Sequence, residues 1–207
     1  MKITRWLLLL TAAAPTFFAS CSKDDDDTQP DVNAIQGTWD FVNMTSSTLS
    51  TTINVSGDYK DTTMILANYV SLDNSGTITF DATTAKSSNI TYAIDTVLEA
   101  EYFTSDGIRD VYEIPFSATI PPSSSTAPYK LVGTDSLYFE QGFINMIATD
   151  GSGTIAPTTA SGSRLTWSGD TLVLHTHINA SKTETGEGIT TTTIVTGTQS
   201  VKLLKQQ

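Results

Sequence analysis

Apolar and β-branched residues alternate with polar residues along most of the chain, and turn residues separate the alternating runs. In segment 64–71, for example, Met64, Leu66, Asn68 and Val70 form one set and the residues between them form the other. Successive side chains of a strand point to opposite faces, so this period of two is typical of β-strands. Neither a long helical stripe nor a repeat of strand and helix is present. The pattern predicts an all-β, antiparallel protein, as either a barrel or a β-sandwich.

The alternating runs also predict the individual strands, which we expect at 38–44, 64–71, 77–80, 90–94, 98–104, 110–118, 135–141, 143–149, 164–167, 172–178 and 189–204. On the first of them, Trp39, Phe41 and Asn43 are expected to share a face. Composition predicts turns at Asp73–Gly76 and Ser87–Asn89, a loop at Pro121–Pro128 and a long hairpin tip at Ser181–Gly188.

Cys21 is the only cysteine, and it follows a short basic start and an apolar stretch that ends in small residues. The apolar run is interrupted by Thr11 and Pro15, so it is too short for a membrane-spanning helix. An ordinary secretory signal is the alternative. The arrangement resembles the signal peptide and lipobox of bacterial lipoproteins. That resemblance implies removal of residues 1–20 and a covalent diacylglycerol with an N-acyl chain on Cys21.

Four consecutive aspartates, Asp24–Asp27, follow this cysteine closely. A block of like charge forms a solvated linker. The block also resembles the acidic export signal of surface lipoproteins from Bacteroides-like bacteria (Bacteroidetes). We therefore predict a lipidated acidic tether at 21–35 and a β domain at 36–207. The resemblance implies an outer-membrane protein that is exposed at the cell surface and contacts the membrane through its lipid.

Acidic residues dominate the chain once residues 1–20 are removed. Nine Lys and Arg remain against 22 Asp and Glu, a net charge of −13. Such a surface repels the phosphates of nucleic acids, so we expect no nucleic-acid partner.

The first predicted strand begins with Gly37-Thr38-Trp39. Gly-x-Trp in this place resembles the lipocalin motif, which implies a lipocalin-like β-barrel whose closed end is plugged by the tryptophan. Lipocalins usually stack an arginine from near the last strand on that ring, as a cation–π pair. Beyond residue 20 the chain has only Arg109 and Arg164, and neither lies in the last strand. Lys202 is the expected substitute.

The lipocalin resemblance implies a non-catalytic binding function. The ligand would be a small apolar or amphipathic molecule inside the barrel, or a glycan at its rim. The aromatic residues expected to line the interior are Trp39, Phe41, Phe80, Tyr92 and Trp167. The alternative is a structural or accessory subunit that docks on an outer-membrane protein complex.

Few residues offer catalytic or metal chemistry. His175 and His177 share a strand face and are weak metal candidates, because a usable site needs three or four ligands. Glu99, Glu101, Asp106 and Asp110 form an acidic patch that could hold calcium or act in glycoside hydrolysis. No motif of a serine hydrolase, zinc protease or phosphate-binding loop is present. We therefore expect no cofactor and no enzyme, with a hydrolase as the third hypothesis.

Overall fold

The computed structural model describes residues 32–141, 143, 146–148, 153–155 and 160–207. The predicted signal peptide and most of the predicted tether, with Cys21 and Asp24–Asp27, lie outside the described residues. The described part begins with a 3-10 helix at Val32–Ile35. Its strands are β1 (Gly37–Ser56), β2 (Tyr59–Val70), β3 (Leu72–Phe80), β4 (Thr84–Thr104), β5 (Arg109–Val132), β6 (Ser136–Phe139), β7 (Met146–Ala148), β8 (Gly153–Ile155), β9 (Ser161–Ser168), β10 (Thr171–Gly186) and β11 (Ile189–Lys205).

Nine of these described strands form one antiparallel sheet that closes on itself. The order is β11-β10-β9-β6-β5-β4-β2-β1-β3, and β11 also pairs with β1. Because β3 pairs with both β1 and β4, it continues the wall position of β2. β7 and β8 pair with each other in a separate small sheet. The described strands of the closed sheet therefore form a barrel with eight strand positions, which confirms the predicted antiparallel barrel over the alternative sandwich.

Two segments predicted as turns are bulges inside strands. Asp73 (φ 49°) and Gly76 (φ 106°) lie within β3, and Asn89 (φ 51°) lies within β4. The ladders of both strands shift register at these places. Gly, Asn and Asp reach positive φ at low cost, so the same residues serve bulges as well as turns. A Cβ on Gly76 would lie 2.6 Å from the carbonyl oxygen of Asn89, so the two bulges pack directly against each other.

A third bulge changes which residues of β1 face the interior. The β1–β11 register shifts between Phe41 and Asn43, which leaves Val42 as the extra residue. Met44 is therefore fully buried and Asn43 is not, contrary to the predicted shared face. Strict alternation from Trp39 fails here because one inserted residue moves every later side chain to the other face.

The proline-containing segment predicted as a loop belongs to β5. Pro121–Pro128 pairs with β4, and the register shifts between Ile120 and Ser123, where Pro121 and Pro122 stand. Proline cannot donate to a ladder, but bulges and strand edges tolerate it. Composition was misleading there. Ser181–Gly188 does contain the tip of a hairpin, with its turn at 187–188, but β10 continues to Gly186 and most of the segment is strand.

Three hairpins extend past β6 and β9 at one end of the barrel. They connect β1 to β2, β4 to β5 and β10 to β11, with turns at 57–58, 105–108 and 187–188. β5 has 24 residues and β10 has 16, whereas β6 has four and β9 has eight. Among the described strands, the wall is therefore lowest at β6 and β9. We call the end with the three hairpin turns the open end, and the end with Trp39 the closed end.

Candidate functional site

The five aromatic residues predicted to line a ligand site fill the core toward the closed end. Trp39, Phe41, Phe80 and Tyr92 are at most 4% exposed, and Trp167 packs partly buried against the same core. The ring centroids of Trp39 and Trp167 lie 5.8 Å apart, and those of Phe41 and Tyr92 lie 6.1 Å apart. Such tilted and edge-to-face contacts are typical of packed cores.

Lys205, and not the predicted Lys202, lies over Trp39. Its Nζ is 5.4 Å from the ring centroid and donates to the carbonyl oxygen of Ala34 at 3.4 Å. The register explains the choice, because Trp39 pairs directly with Lys205, whereas Lys202 is exposed further along β11. Trp39 Nε1 also donates to the carbonyl oxygen of Ile35 at 2.8 Å, and Ile35 is fully buried. The end of the predicted tether therefore packs into the barrel.

A cavity of about 300 Å³ lies where the low β6–β9 wall meets β10. The ladder between β9 and β10 ends at Ser163 and Thr176, so β10 continues upward without β9 beside it. The exposed residues His177 and Asn179 border the cavity. None of the five predicted aromatic residues is among its lining residues. The unequal strand lengths, and not the aromatic core, therefore create this candidate binding site.

The cavity has apolar walls crossed by a polar layer. Its apolar side chains include Phe139, Phe143, Leu174, Ile178 and Val201. Within the polar layer, the hydroxyl oxygens of Ser163 and Thr176 lie 2.7 Å apart, and Gln199 contributes a buried amide that donates to the sulfur of Met44. Cavities of this kind, mostly apolar with a few placed hydrogen-bonding groups, are typical of small-molecule sites.

The buried interior of the described barrel contains no charged side chain. Its buried polar side chains are Ser46, Thr48, Ser50, Ser71, Ser87, Ser163 and Gln199. Burial raises the pKa of the Tyr69 phenol, and burial followed by the neighbouring Tyr69 raises that of Tyr92. Both phenols therefore stay protonated at physiological pH. Because an unpaired charge is costly to bury, this interior favours a neutral ligand.

Two cavity residues that the sequence-based prediction missed are Phe139 and Phe143. Their rings stack with centroids 5.1 Å apart, and Ser125 Oγ of β5 donates to the carbonyl oxygen of Phe143 at 2.9 Å. The alternation in the predicted strand 135–141 was a usable signal for an inward Phe139. Phe143 begins the predicted strand 143–149, but it lies before β7, and its place at the cavity depends on a contact with β5.

The two histidines lie on the outer face of β10. His175 Nε2 is 2.9 Å from Thr166 Oγ1, and its Nδ1 is 2.8 Å from Ser200 Oγ. His177 is exposed. Across the described residues, no group of three or more His, Cys, Asp or Glu side chains is placed to hold a metal ion. Hydrogen bonding to neighbouring hydroxyls is the role that the geometry gives His175.

The four acidic residues of the predicted patch do not converge. Glu99 and Glu101 alternate with buried Leu98 and Ala100, so they lie on the outer face, where Glu101 accepts from Arg109 at 2.8 Å. Asp110 pairs with Tyr102 on the inner face, and Asp106 lies in the hairpin turn. Glycoside hydrolysis needs two carboxyl groups that face each other across a cleft. These four residues do not provide such a pair.

Comparisons with known proteins add no family. No protein-family model and no curated protein sequence matches the chain. A solved structure, that of Ail, the attachment invasion locus protein of Yersinia pestis, aligns over 81% of this chain and 99% of its own at 8% identity, with a TM-score of 0.18. A TM-score this low does not establish a shared fold. Within the described part of the chain, no helix is long and apolar enough to cross a bilayer.

Proposed function

We propose that the chain is a non-catalytic, lipid-anchored protein of the cell envelope whose barrel binds a small, neutral, amphipathic molecule. The cavity where the β6–β9 wall meets β10 is the observation that carries this proposal. Its volume of about 300 Å³ stands at the lower limit for ligand sites. Apolar walls would take the hydrocarbon part of the ligand, and the layer of Ser163, Thr176 and Gln199 would bind its polar group. The lack of buried charge supports a neutral ligand.

Native mass spectrometry of the protein purified from its own host tests the ligand. We expect a retained small-molecule mass on the wild-type protein. Ile178→Trp should lower the bound fraction by about ten-fold or more, because even one excess methylene in an apolar pocket costs about 1–3 kcal/mol of binding. Val111→Trp is the matched control, since Val111 is 61% exposed and lies away from the cavity.

Two outcomes would contradict this carrier proposal. One is a wild-type protein that is free of ligand after gentle handling. The other is an Ile178→Trp variant that retains the same mass as the wild type. A ligand-free protein that co-purifies with a protein partner would favour the accessory-subunit alternative. Val70, Leu72 and Val97 support that alternative, because they are 50%, 48% and 51% exposed on the outer face of neighbouring strands.

Cys21→Ser tests the anchor. A single acyl chain binds membranes only marginally, whereas two or more chains anchor a protein stably. We therefore expect the wild-type protein in the membrane fraction and the variant in the soluble fraction, with Ser22→Ala as the matched control. Protease treatment of intact cells would test surface exposure in the same strains. Membrane recovery of Cys21→Ser equal to that of the wild type would refute the lipid anchor.

A further inference from the structure

Three tyrosines lie on the inner, concave face of the hairpins at the open end. Ala100 of β4 is buried, so Tyr102 shares its inward face, and Tyr112 of β5 pairs directly with Ala100. On β2, Tyr59 has the same parity as the buried Ala67 and therefore faces inward as well. We call Tyr59, Tyr102 and Tyr112 the tyrosine face. None of them lines the cavity where the β6–β9 wall meets β10.

The tyrosine face is open to solvent, and two of its members are in contact. Tyr59 is 43% exposed and Tyr112 is 52% exposed. The hydroxyl oxygens of Tyr59 and Tyr102 lie 3.4 Å apart. Exposed aromatic rings on neighbouring strands offer a broad, rigid contact surface at low entropic cost.

Two carboxylates flank these rings on the same concave face. Asp110 pairs with Tyr102 across β4 and β5, and Asp61 pairs with Thr104 across β2 and β4. The charge of Asp110 is the main cause that raises the pKa of Tyr112. The hydrogen bond to Tyr59 is the main cause that raises the pKa of Tyr102 to about 12, and Asp61 adds to it. The phenols of Tyr102 and Tyr112 are therefore neutral at physiological pH and lie in a negative potential.

The nearby basic side chains do not neutralise this negative potential. Arg109 is on the opposite, convex face, where it pairs with Glu101 and lies 5.8 Å from the ring centroid of Phe103. Lys182 on β10 already pairs with Glu184 at 2.7 Å. Asp61 accepts one hydrogen bond, from Asn54 Nδ2 at 2.8 Å, and that donor is uncharged. The concave face therefore presents neutral rings beside carboxylates that no described basic side chain pairs with.

We propose that the tyrosine face binds an organic cation of the ammonium class. A cation over an aromatic ring is attracted by the negative face of the ring, and quaternary ammonium groups are recognised by clusters of such rings. Asp61 and Asp110 add a direct Coulomb attraction. This site is separate from the cavity, takes a ligand of a different chemical class, and does not depend on the proposed carrier function.

Other ligand classes use this surface less well. Anions are repelled by the two carboxylates and by the acidic chain as a whole. A neutral sugar would gain contact with the rings but nothing from the charge. A bare metal ion needs several converging oxygen ligands, and no such group is found among the described residues. The combination of rings and negative charge therefore favours an organic cation.

The test is titration of the full protein with choline, followed by NMR or calorimetry. The neutral comparison is dimethylbutanol, the carbon isostere of choline, which has the same shape without the charge. We expect saturable choline binding in about the millimolar range, corresponding to a few modest contacts. The isostere should bind at least about five-fold more weakly, and added salt should weaken choline binding because the site is exposed.

Variants locate the site. Tyr112→Leu removes a ring and should weaken choline binding about two- to five-fold, the usual size of one exposed cation–π contact. Asp110→Asn should weaken it similarly by removing a charge without changing the fold. Tyr138→Leu is the matched control, because Tyr138 is 37% exposed on the outer face of β6. Circular dichroism would verify that each variant folds.

Several results would overturn this proposal. Equal binding of choline and its isostere would make the surface a simple apolar patch. Saturable binding of glucose or maltose without binding of choline would make it a glycan site. Lack of saturation by choline, or equal weakening by Tyr138→Leu and Tyr112→Leu, would remove the site altogether.

Discussion

Trp39→Ala is expected to lower the free energy of unfolding by about 3–5 kcal/mol, the usual cost of truncating a buried large aromatic residue. Trp39 is only 1% exposed. It contacts Trp167, donates to the carbonyl oxygen of Ile35 and carries Lys205 on its ring. Through these contacts the Trp39 side chain connects the 3-10 helix, β1, β9 and β11. Urea unfolding followed by circular dichroism measures the effect.

Milder variants separate the contribution of the Lys205 cation from that of the buried Trp39 ring. A domain typically has about 5–15 kcal/mol of stability in all, so Trp39→Ala could be too unstable to purify. Lys205→Met removes the cation and its long hydrogen bond to Ala34 and should cost about 0.5–1 kcal/mol. Lys202→Met is its matched control, because Lys202 is an exposed lysine on the same strand. Equal losses from the two lysine variants, or a loss below about 1 kcal/mol for Trp39→Ala, would show that the closed end does not depend on this ring.

Gly197→Ala is expected to cost about 3 kcal/mol or more, since strained backbone and overpacking each cost about 1–3 kcal/mol. Gly197 has φ 155°, and a Cβ there would lie 2.2 Å from the carbonyl oxygen of Ser47 and 2.8 Å from the Cα of Thr48. These are backbone atoms of the opposite strand, so no side-chain rotation relieves the clash. Relief requires separation of β1 from β11, and this ladder closes the barrel.

Gly186→Ala is the matched control for this substitution. Gly186 lies on the same hairpin, its φ is not positive, and nothing stands within 4 Å of a Cβ built there. Alanine at such a position should be neutral or stabilise by about 0.4–1 kcal/mol, because it restricts the unfolded chain. Urea unfolding of both variants gives the comparison. Similar stabilities for the two variants would mean that β1 and β11 can separate at Gly197 at little cost in free energy.

The predictions that succeeded concern properties that repeat along a strand. Segment 64–71 was expected to have two faces, and Ala67 and Tyr69 are buried on one of them while Asn68 and Val70 are exposed on the other. Several of the failures fall at single irregular residues. Val42, Gly76 and Asn89 each mark a bulge, and the local signals for a bulge and for a turn are nearly the same. Only pairing with a partner strand distinguishes the two.

The candidate site shows the same limit at longer range. The aromatic residues expected to contact ligand fill the core, whereas the cavity is lined in part by Phe143, whose place there depends on its contact with β5. The cavity exists because β6 and β9 are shorter than β5 and β10. Relative strand length is a relation between distant segments, so composition and periodicity do not contain it.

The all-β class and the antiparallel alternation can be read from the residues without coordinates, because a strand with one buried face imposes a period of two on its own residues. The ring closure, the choice of Lys205 over Lys202 and the place of the cavity follow only from the folded arrangement. All three depend on the register between segments such as β1 and β11, which join residues 39 and 205. Register follows from the pairing of whole strands in three dimensions, and a one-residue bulge is enough to change which side chains face the interior.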